Sequence, residues 1–192
     1  IGIDPNATKV NAILEGRSPI TEPRVGELIA EARENGLITA NVALGSEVAS
    51  CDLAIVCVGT PSAVDGSHNM SYIAEVSRQL AELVKDHSEA TLTVAYRSTV
   101  RPGTMEHLIQ PIFDGVLGGD SARIELVYYP EFLRESSAVD DYFSPPKIVI
   151  GTKTGNPCAT IDKINEGFAA PVFNVRYPES EITKFVDNSF HA

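Results

Sequence analysis

Basic residues are scarce in this chain: 15 Lys and Arg stand against 26 Asp and Glu in 192 residues, and nowhere do they form a run. A formal net charge of −11 repels a phosphate backbone or an anionic bilayer, so nucleic acid and membrane surfaces are excluded as expected partners. A phosphorylated small molecule held by local donors stays open. No apolar stretch approaches the roughly 18 residues a spanning helix needs, and no leader of basic then apolar residues opens the chain. The expectation is a soluble, cytoplasmic protein. Cysteines number only three, and Cys51, Cys57 and Cys158 lack C-x-x-C spacing, which argues against both a disulfide framework and a zinc site. Cys57 lies in an apolar run and reads as a small buried hydrophobe. The histidines, His68, His87, His107 and His191, are scattered, so no metal is expected. Repeats and low-complexity tracts are lacking as well.

What the chain does contain is a succession of apolar runs bounded by turn residues: Leu53 to Val58, Leu92 to Ala95, Ile124 to Tyr128 and Lys147 to Ile150. Amphipathic stretches separate them, and Met70, Ile73, Val76, Leu80, Leu83 and Val84 show the clearest helical spacing. This alternation predicts an α/β fold, a mostly parallel sheet with helices on both faces. Pro102 suits the first turn of a helix reaching about Gly115. Asn156 and Pro157 read as the N-cap and first residue of a helix through Phe168, "APVFNV" as a short edge strand, and Ser180 as the N-cap of the last helix. "IGID" reads as the end of a strand whose start is missing, and "NSFHA" stops inside a helical pattern, so a piece of a longer protein is expected. A boundary near Tyr177 and Pro178 divides a sheet domain, 1–177, from the start of a further helix, 178–192.

Ligands of open parallel sheets bind beyond the carboxyl ends of the strands. Four such ends are unusual here: Asp4 after "IGI", "GTPS" from Gly59, "RSTV" around Thr99, and "PEFLRE" from Pro130 to Glu135. Asp4 stands where a dinucleotide fold places an acid against a ribose 2′-hydroxyl, favouring NAD over NADP, although an Asp between strand and helix is also a common N-cap. Thr60 and Thr99 can equally be turn residues. The glycine-rich phosphate loop of such a fold belongs before Ile1.

In the last helix Lys184, Asn188 and His191 fall on one face and Ile182, Phe185, Val186 and Phe190 roughly opposite. The polar line is either a solvated surface or the wall of a cleft, the latter requiring the apolar face to be buried. If the chain turns helical after Pro130, Glu131 and Glu135 project together, and two close carboxylates raise one pKa toward a general base. The alternative is an exposed first turn whose acids complement the helix dipole.

At these residues the chain resembles the nucleotide-sugar 6-dehydrogenases, the UDP-glucose/GDP-mannose dehydrogenase family. The resemblance runs from "IDPNATKVNAILEGRSPITEP" through "CVGTPSAVDG", "RSTVRPGT" and "PEFLRESSAVDDYFSPPKIVIG" to "EITKFVDNSFHA", in order and over essentially the whole chain. It implies a truncated, doubly wound Rossmann-type domain followed by the start of a central helix. It also implies a four-electron oxidation of a sugar C6 alcohol to a carboxylate with two NAD⁺ in succession, through a cysteine-bound thiohemiacetal and thioester.

On this resemblance Asp4 and Lys9 hold the adenosine ribose, and Gly59, Thr60, Pro61 and Thr99 line the cofactor. Glu135 lies between cofactor and substrate, and Glu131 with Thr99 positions the hydrolytic water. Lys184 and Asn188 donate to the oxyanion at C6. Phe132, Leu133 and Arg134 line the sugar pocket, and His191 contacts the nucleotide-sugar. A homodimer or higher homo-oligomer is implied for the full-length protein.

Two departures stand out. The family's "EPGL" is "EPRV" here, with Arg24 for a glycine, and the Asn before "PEF" is Tyr129. The family's nucleophilic cysteine belongs to a Gly-Gly-Ser-Cys stretch beyond residue 192, so this piece alone is expected to be inactive. "CVGTPS", "RSTV" and "FLRES" lean toward GDP-mannose. UDP-glucose, a UDP-N-acetylhexosamine, a non-catalytic nucleotide-binding module and a hydroxyacid or 6-phosphogluconate-type dehydrogenase remain the other readings.

Overall fold

A computed structural model describes residues 1–61, 68–87 and 89–191. The chain divides into two compact units, one of Ile1–Val48 with Leu133–Pro145 and the other of Ala49–Phe132 with Pro146–Ala192.

The first unit holds a two-stranded parallel sheet, β1 (Gly2–Ile3) beside β2 (Ala40–Asn41), with helices α1 (Ala7–Leu14), α2 (Val25–Glu34) and α5 (Ala138–Phe143). Asn6 caps α1 by accepting the Thr8 N–H at 2.9 Å. Glu22 caps α5 from a distance, its two oxygens accepting the Ser136 and Ala138 N–H groups at 3.0 Å. Arg24 opens α2 with φ 67°, the left-handed conformation a glycine adopts freely, and its Nη1 bonds Asp140 Oδ1 at 2.8 Å. The unusual "EPRV" thus puts a side chain at a conformation that favours glycine and adds an ion pair.

The second unit is a five-stranded sheet in the order β3 (Leu53–Val56), β4 (Leu92–Tyr96), β5 (Ile124–Tyr128), β6 (Ile148–Thr152), β7 (Val172–Arg176). All pairings are parallel except β5 with β6, which meet antiparallel at Tyr128 and Gly151. The apolar runs became these strands because the central ones are buried on both faces, which continuous Val, Ile and Leu permit. By the two-residue period, Ala95, Val127, Tyr129, Ile148 and Ile150 pack with Ile161 and Cys158 next to α6 (Ala159–Ile164), and their neighbours point to the other face. There α3 (Ser71–Asp86) buries Ile73, Leu80 and Val84 and packs on α4 (Gln110–Leu117). This is the mostly parallel sheet with covering helices that the alternation predicts, and the Rossmann-like fold that the resemblance implies.

Several local expectations are corrected. Pro102 lies in a turn, and the helical path starts later, with a single π-helical turn over Met105–Ile109 leading into α4, which ends at Leu117. Asn156 does not cap α6: its carbonyl accepts from Thr152 Oγ1 at 2.9 Å, which holds it in the loop, and the helix spans only Ala159–Ile164. Ser180 lies inside α7 (Tyr177–His191), where its hydroxyl donates to the Tyr177 carbonyl. It packs so closely on β6 that a Cβ on Gly151 would meet its Oγ at 1.9 Å, so only glycine fits there. Cys57 is exposed, as is Ile55 two residues earlier on the same side of β3.

Candidate active site

The expected helix after Pro130 is not formed: residues 129–134 have no regular structure. Glu131 and Glu135 therefore share no helical face, and they belong to different units. The reason is a contact far along the chain. Lys184 Nζ donates to the Glu131 carbonyl at 2.5 Å and to its Oε1 at 2.9 Å, drawing the backbone and the side chain to α7. Lys184 is nearly buried, at 5% exposure, while Glu131 keeps 29%. A buried ammonium needs such a partner, and the half-open carboxylate leaves water access to the pair.

α7 inverts the face expected to be covered. Tyr177, Ser180, Glu181 and Lys184 are its buried residues, and Ile182, Phe185, Val186 and Phe190 are exposed, Phe190 at 85%. Asn188 is exposed one turn after Lys184. The backbone of His191 ends the helix, and its side chain lies outside the described residues.

Thr99 follows β4, and its carbonyl accepts from Thr60 Oγ1 at 3.0 Å, which joins two of the expected cofactor residues. Ser98 Oγ donates to the Val58 carbonyl at 2.7 Å, so the ends of the neighbouring parallel strands β3 and β4 are stitched together. Gly59 has open space where a side chain would project, and the Pro61 carbonyl accepts from Asn69 N–H at 2.8 Å. "SAVDG" after Pro61 lies outside the described residues. Phe132, in the same unit, carries the Lys147 ammonium 4.2 Å and the Lys184 ammonium 5.4 Å from its ring centroid. Lys147 in turn bonds Asp187 at 2.5 Å.

In the first unit Asp4 and Lys9 meet at 3.1 Å, each more than a third exposed. The Asn6 N–H, bonding Asp4 Oδ1, and then Lys9 hold the Asp4 carboxyl below its ordinary value, so it stays ionised. Asp4 supports the turn that leads to the cap without being the cap itself. Leu133 and Glu135 are exposed, and Arg134 makes three bonds to Asp141, including its own N–H at 2.9 Å. That donor is unavailable to a ligand while Asp141 holds it.

Sequence reasoning overlooked Glu181, a fully buried acid that accepts the Gly103 N–H at 2.7 Å and the Met105 N–H at 2.8 Å. Burial pushes its carboxyl up, and the two backbone donors oppose the rise. The available signal was its place three residues before Lys184. Also unforeseen was the role of Tyr129, whose hydroxyl donates to Asn165 Oδ1 at 2.6 Å and whose ring carries the Arg97 guanidinium 4.5 Å from its centroid. The substituted asparagine position is thus packed into the core. Burial pushes the Cys158 thiol up to about 11, and it bonds Glu125 at 3.2 Å, so it is a poor nucleophile. Among the described residues no group of three or more His, Cys, Asp or Glu gathers to hold a metal ion, and no helix is long and apolar enough to cross a membrane.

The chain is 36% identical to the GDP-mannose 6-dehydrogenase of Azotobacter vinelandii over 194 residues, covering all of this chain and 44% of that protein. The UDP-glucose 6-dehydrogenase YwqF of Bacillus subtilis is 30% identical over 198 residues, with 99% and 42% covered. A crystal structure of a ternary complex of GDP-mannose dehydrogenase from Pseudomonas aeruginosa superposes with a TM-score of 0.92 at 33% identity, covering 99% of this chain and 44% of that one. The chain thus spans less than half the length of the curated relatives it matches. Residues 1–169 match the NAD binding domain of the UDP-glucose/GDP-mannose dehydrogenase family, and the chain belongs to that family.

Proposed function

We propose that the protein carrying this domain oxidises the C6 alcohol of a nucleotide-sugar to the carboxylate, with GDP-mannose as the favoured substrate and two NAD⁺ consumed per turnover. The observation that carries the reading is Lys184 held against Glu131 beyond β5, in the unit where Thr99 follows the adjacent strand β4. A fixed cation and an amide, Lys184 and Asn188, suit the charge that develops on the C6 oxygen. Glu131 and Thr99 suit the holding of a water and the removal of its proton.

The residues present fit NAD. Within the first unit Asp4 and Lys9 offer an exposed acid and base after β1 for a ribose; within the second, Gly59 has open space where a side chain would project, next to Thr60 bonded to the Thr99 carbonyl. NAD⁺ supplies the hydride acceptor for each of the two oxidations. The resemblance assigns Glu135 to cofactor and sugar, Phe132, Leu133 and Arg134 to the sugar, and His191 to the nucleotide-sugar. Cys158 is excluded as the nucleophile by its burial and raised pKa.

Residues 178–192 begin a central helix that dimerises the protein. Support comes from the exposed apolar face of α7, where Ile182, Val186 and Phe190 form a shallow groove with Thr183 and Asp187. The cytoplasm is the proposed location.

The test is the amount of NADH released per sugar consumed by the full-length protein, with GDP-mannose and UDP-glucose compared. Two NADH with GDP-mannose preferred is the expected result. Two with UDP-glucose preferred would revise the substrate, and a ratio near one would remove the mechanism.

A further inference from the structure

No role in the proposed chemistry falls to Glu181, yet it is among the most deeply buried charged groups of the described residues. Its two oxygens accept from Gly103 and Met105, at the amino end of the helical path that follows β4. First-turn N–H groups lack intrahelical acceptors, and a carboxylate there completes them and complements the dipole. Caps are ordinarily supplied by the residue next to the helix. This one comes from 76 to 78 residues further along the chain. Burying a carboxylate is unfavourable, and a local Ser or Asp would satisfy the same donors with less desolvation.

The geometry gives that remote placement a consequence. Glu181 and Lys184 stand at i and i+3 on the buried face of α7. The first grips the segment after β4, and the second grips Glu131 after β5. The β4 segment is short and stiff between Thr99 and the grip. Thr104 bonds back to the Arg101 carbonyl through both its N–H and its hydroxyl, Val100 is buried, and Gly103 is left-handed with His107 3.0 Å from where a Cβ would stand.

We infer that Glu181 is a positioning residue that fixes the Thr99 segment relative to Lys184 and Glu131, with a single helical turn holding both strand ends in register. The inference rests on the functional reading above, in which Thr99 and Glu131 manage one water.

Glu181→Gln in the full-length enzyme tests it. The glutamine has the same size but offers one acceptor, and its amide meets the second backbone N–H donor to donor. The expected result is a fall in kcat of about tenfold or more, with KM for NAD⁺ and for the nucleotide-sugar changed less than about twofold. Amide exchange should quicken from Met105 back to Ser98 while α6 keeps its protection. An unchanged kcat in the folded variant overturns the inference. So does a loss that falls equally on kcat and both KM values in step with the folded fraction.

If the parent releases no NADH from any nucleotide-sugar, the functional reading fails instead. Exchange then decides the positioning role, and quickening confined to Gly103 and Met105 overturns it. Should Glu181→Gln not fold, Glu181→Asp, which keeps the charge one methylene short, takes the same measurements.

Discussion

Lys184 and Glu131 are joined twice, through the carbonyl and through the carboxylate, so one side chain fixes where a strand end lies and where its acid points. This relationship separates two consequences of losing the lysine. The carbonyl can take water, whereas in the proposed chemistry the C6 oxygen would keep only the Asn188 amide of its two donors.

For Lys184→Ala in the full-length enzyme, turnover is expected to fall by about 10²–10³, the range seen when one oxyanion donor is removed. NAD⁺ affinity should change by less than about threefold, since Asp4, Lys9 and the β3 strand end do not depend on the lysine. Steady-state rates together with NAD⁺ titration by fluorescence check this. Equal losses in both would make Lys184 a structural residue.

Ser77 and Tyr96 form a buried pair that can be apportioned. The Ser77 hydroxyl donates to the Ile73 carbonyl at 2.7 Å, so the Tyr96 hydroxyl, 2.6 Å away, donates to Ser77. Ser77→Ala strands the phenol in the core and should destabilise by about 1–3 kcal/mol, whereas Tyr96→Phe loses only the bond and should lose about 1 kcal/mol. Adding Tyr96→Phe to Ser77→Ala should recover part of the loss, read as urea midpoints. A double variant weaker than Ser77→Ala alone would contradict the assignment.

Asp141 gives a pH test. Arg134, through side chain and backbone, holds its carboxyl well below the usual carboxylate range. A carboxyl with a lowered folded pKa lends its stability above the unfolded value, near 3.9, and loses it as pH falls toward the lower folded value. The melting-temperature gap between parent and Asp141→Asn should therefore be constant above about pH 5 and narrow below about pH 4. A gap that widens on acidification would show the sign to be wrong.

Arg24 tests whether its unusual conformation is strained. Its left-handed φ disfavours a side chain by roughly 1–2 kcal/mol, and its exposed ion pair with Asp140 returns about 0–1 kcal/mol. Arg24→Gly should match or exceed the parent in melting temperature, and Arg24→Ala, which keeps the strain and loses the pair, should fall below it. Thermal denaturation of the three proteins sets the order, and an alanine variant above the glycine variant would refute the strain.

Strands and long helices were readable because their cause is local. Leu92 to Tyr96 is apolar except for Thr93, and all five positions are buried, as suits a strand covered on both faces. The spacing of Ile73, Leu80 and Val84 likewise needs no distant partner to be recognised. The resemblance carried the naming of the site residues, since Thr60 and Thr99 alone are ordinary turn residues. What was not readable depends on partners distant in sequence. Residues after Pro130 could start a helix, but Lys184, 53 positions later, holds Glu131 elsewhere. Ser180 has a capping residue's chemistry and is instead packed against Gly151. In α7 the pattern could not say that the side with Ile182, Phe185, Val186 and Phe190 is left exposed, because Glu181 and Lys184 are buried by pairing with Gly103, Met105 and Glu131.

The crossing of Leu133–Pro145 into the first unit bears on any attempt to dissect or recombine this protein. A contiguous excision at Val48 leaves the amino-terminal piece without α5, and Glu22 without the two amides it caps. Chimaeras between relatives should therefore exchange both stretches of that unit together, with junctions after Val48, Phe132 and Pro145, because a single splice pairs Glu22 and Arg24 of one parent with the foreign 133–145 segment of another.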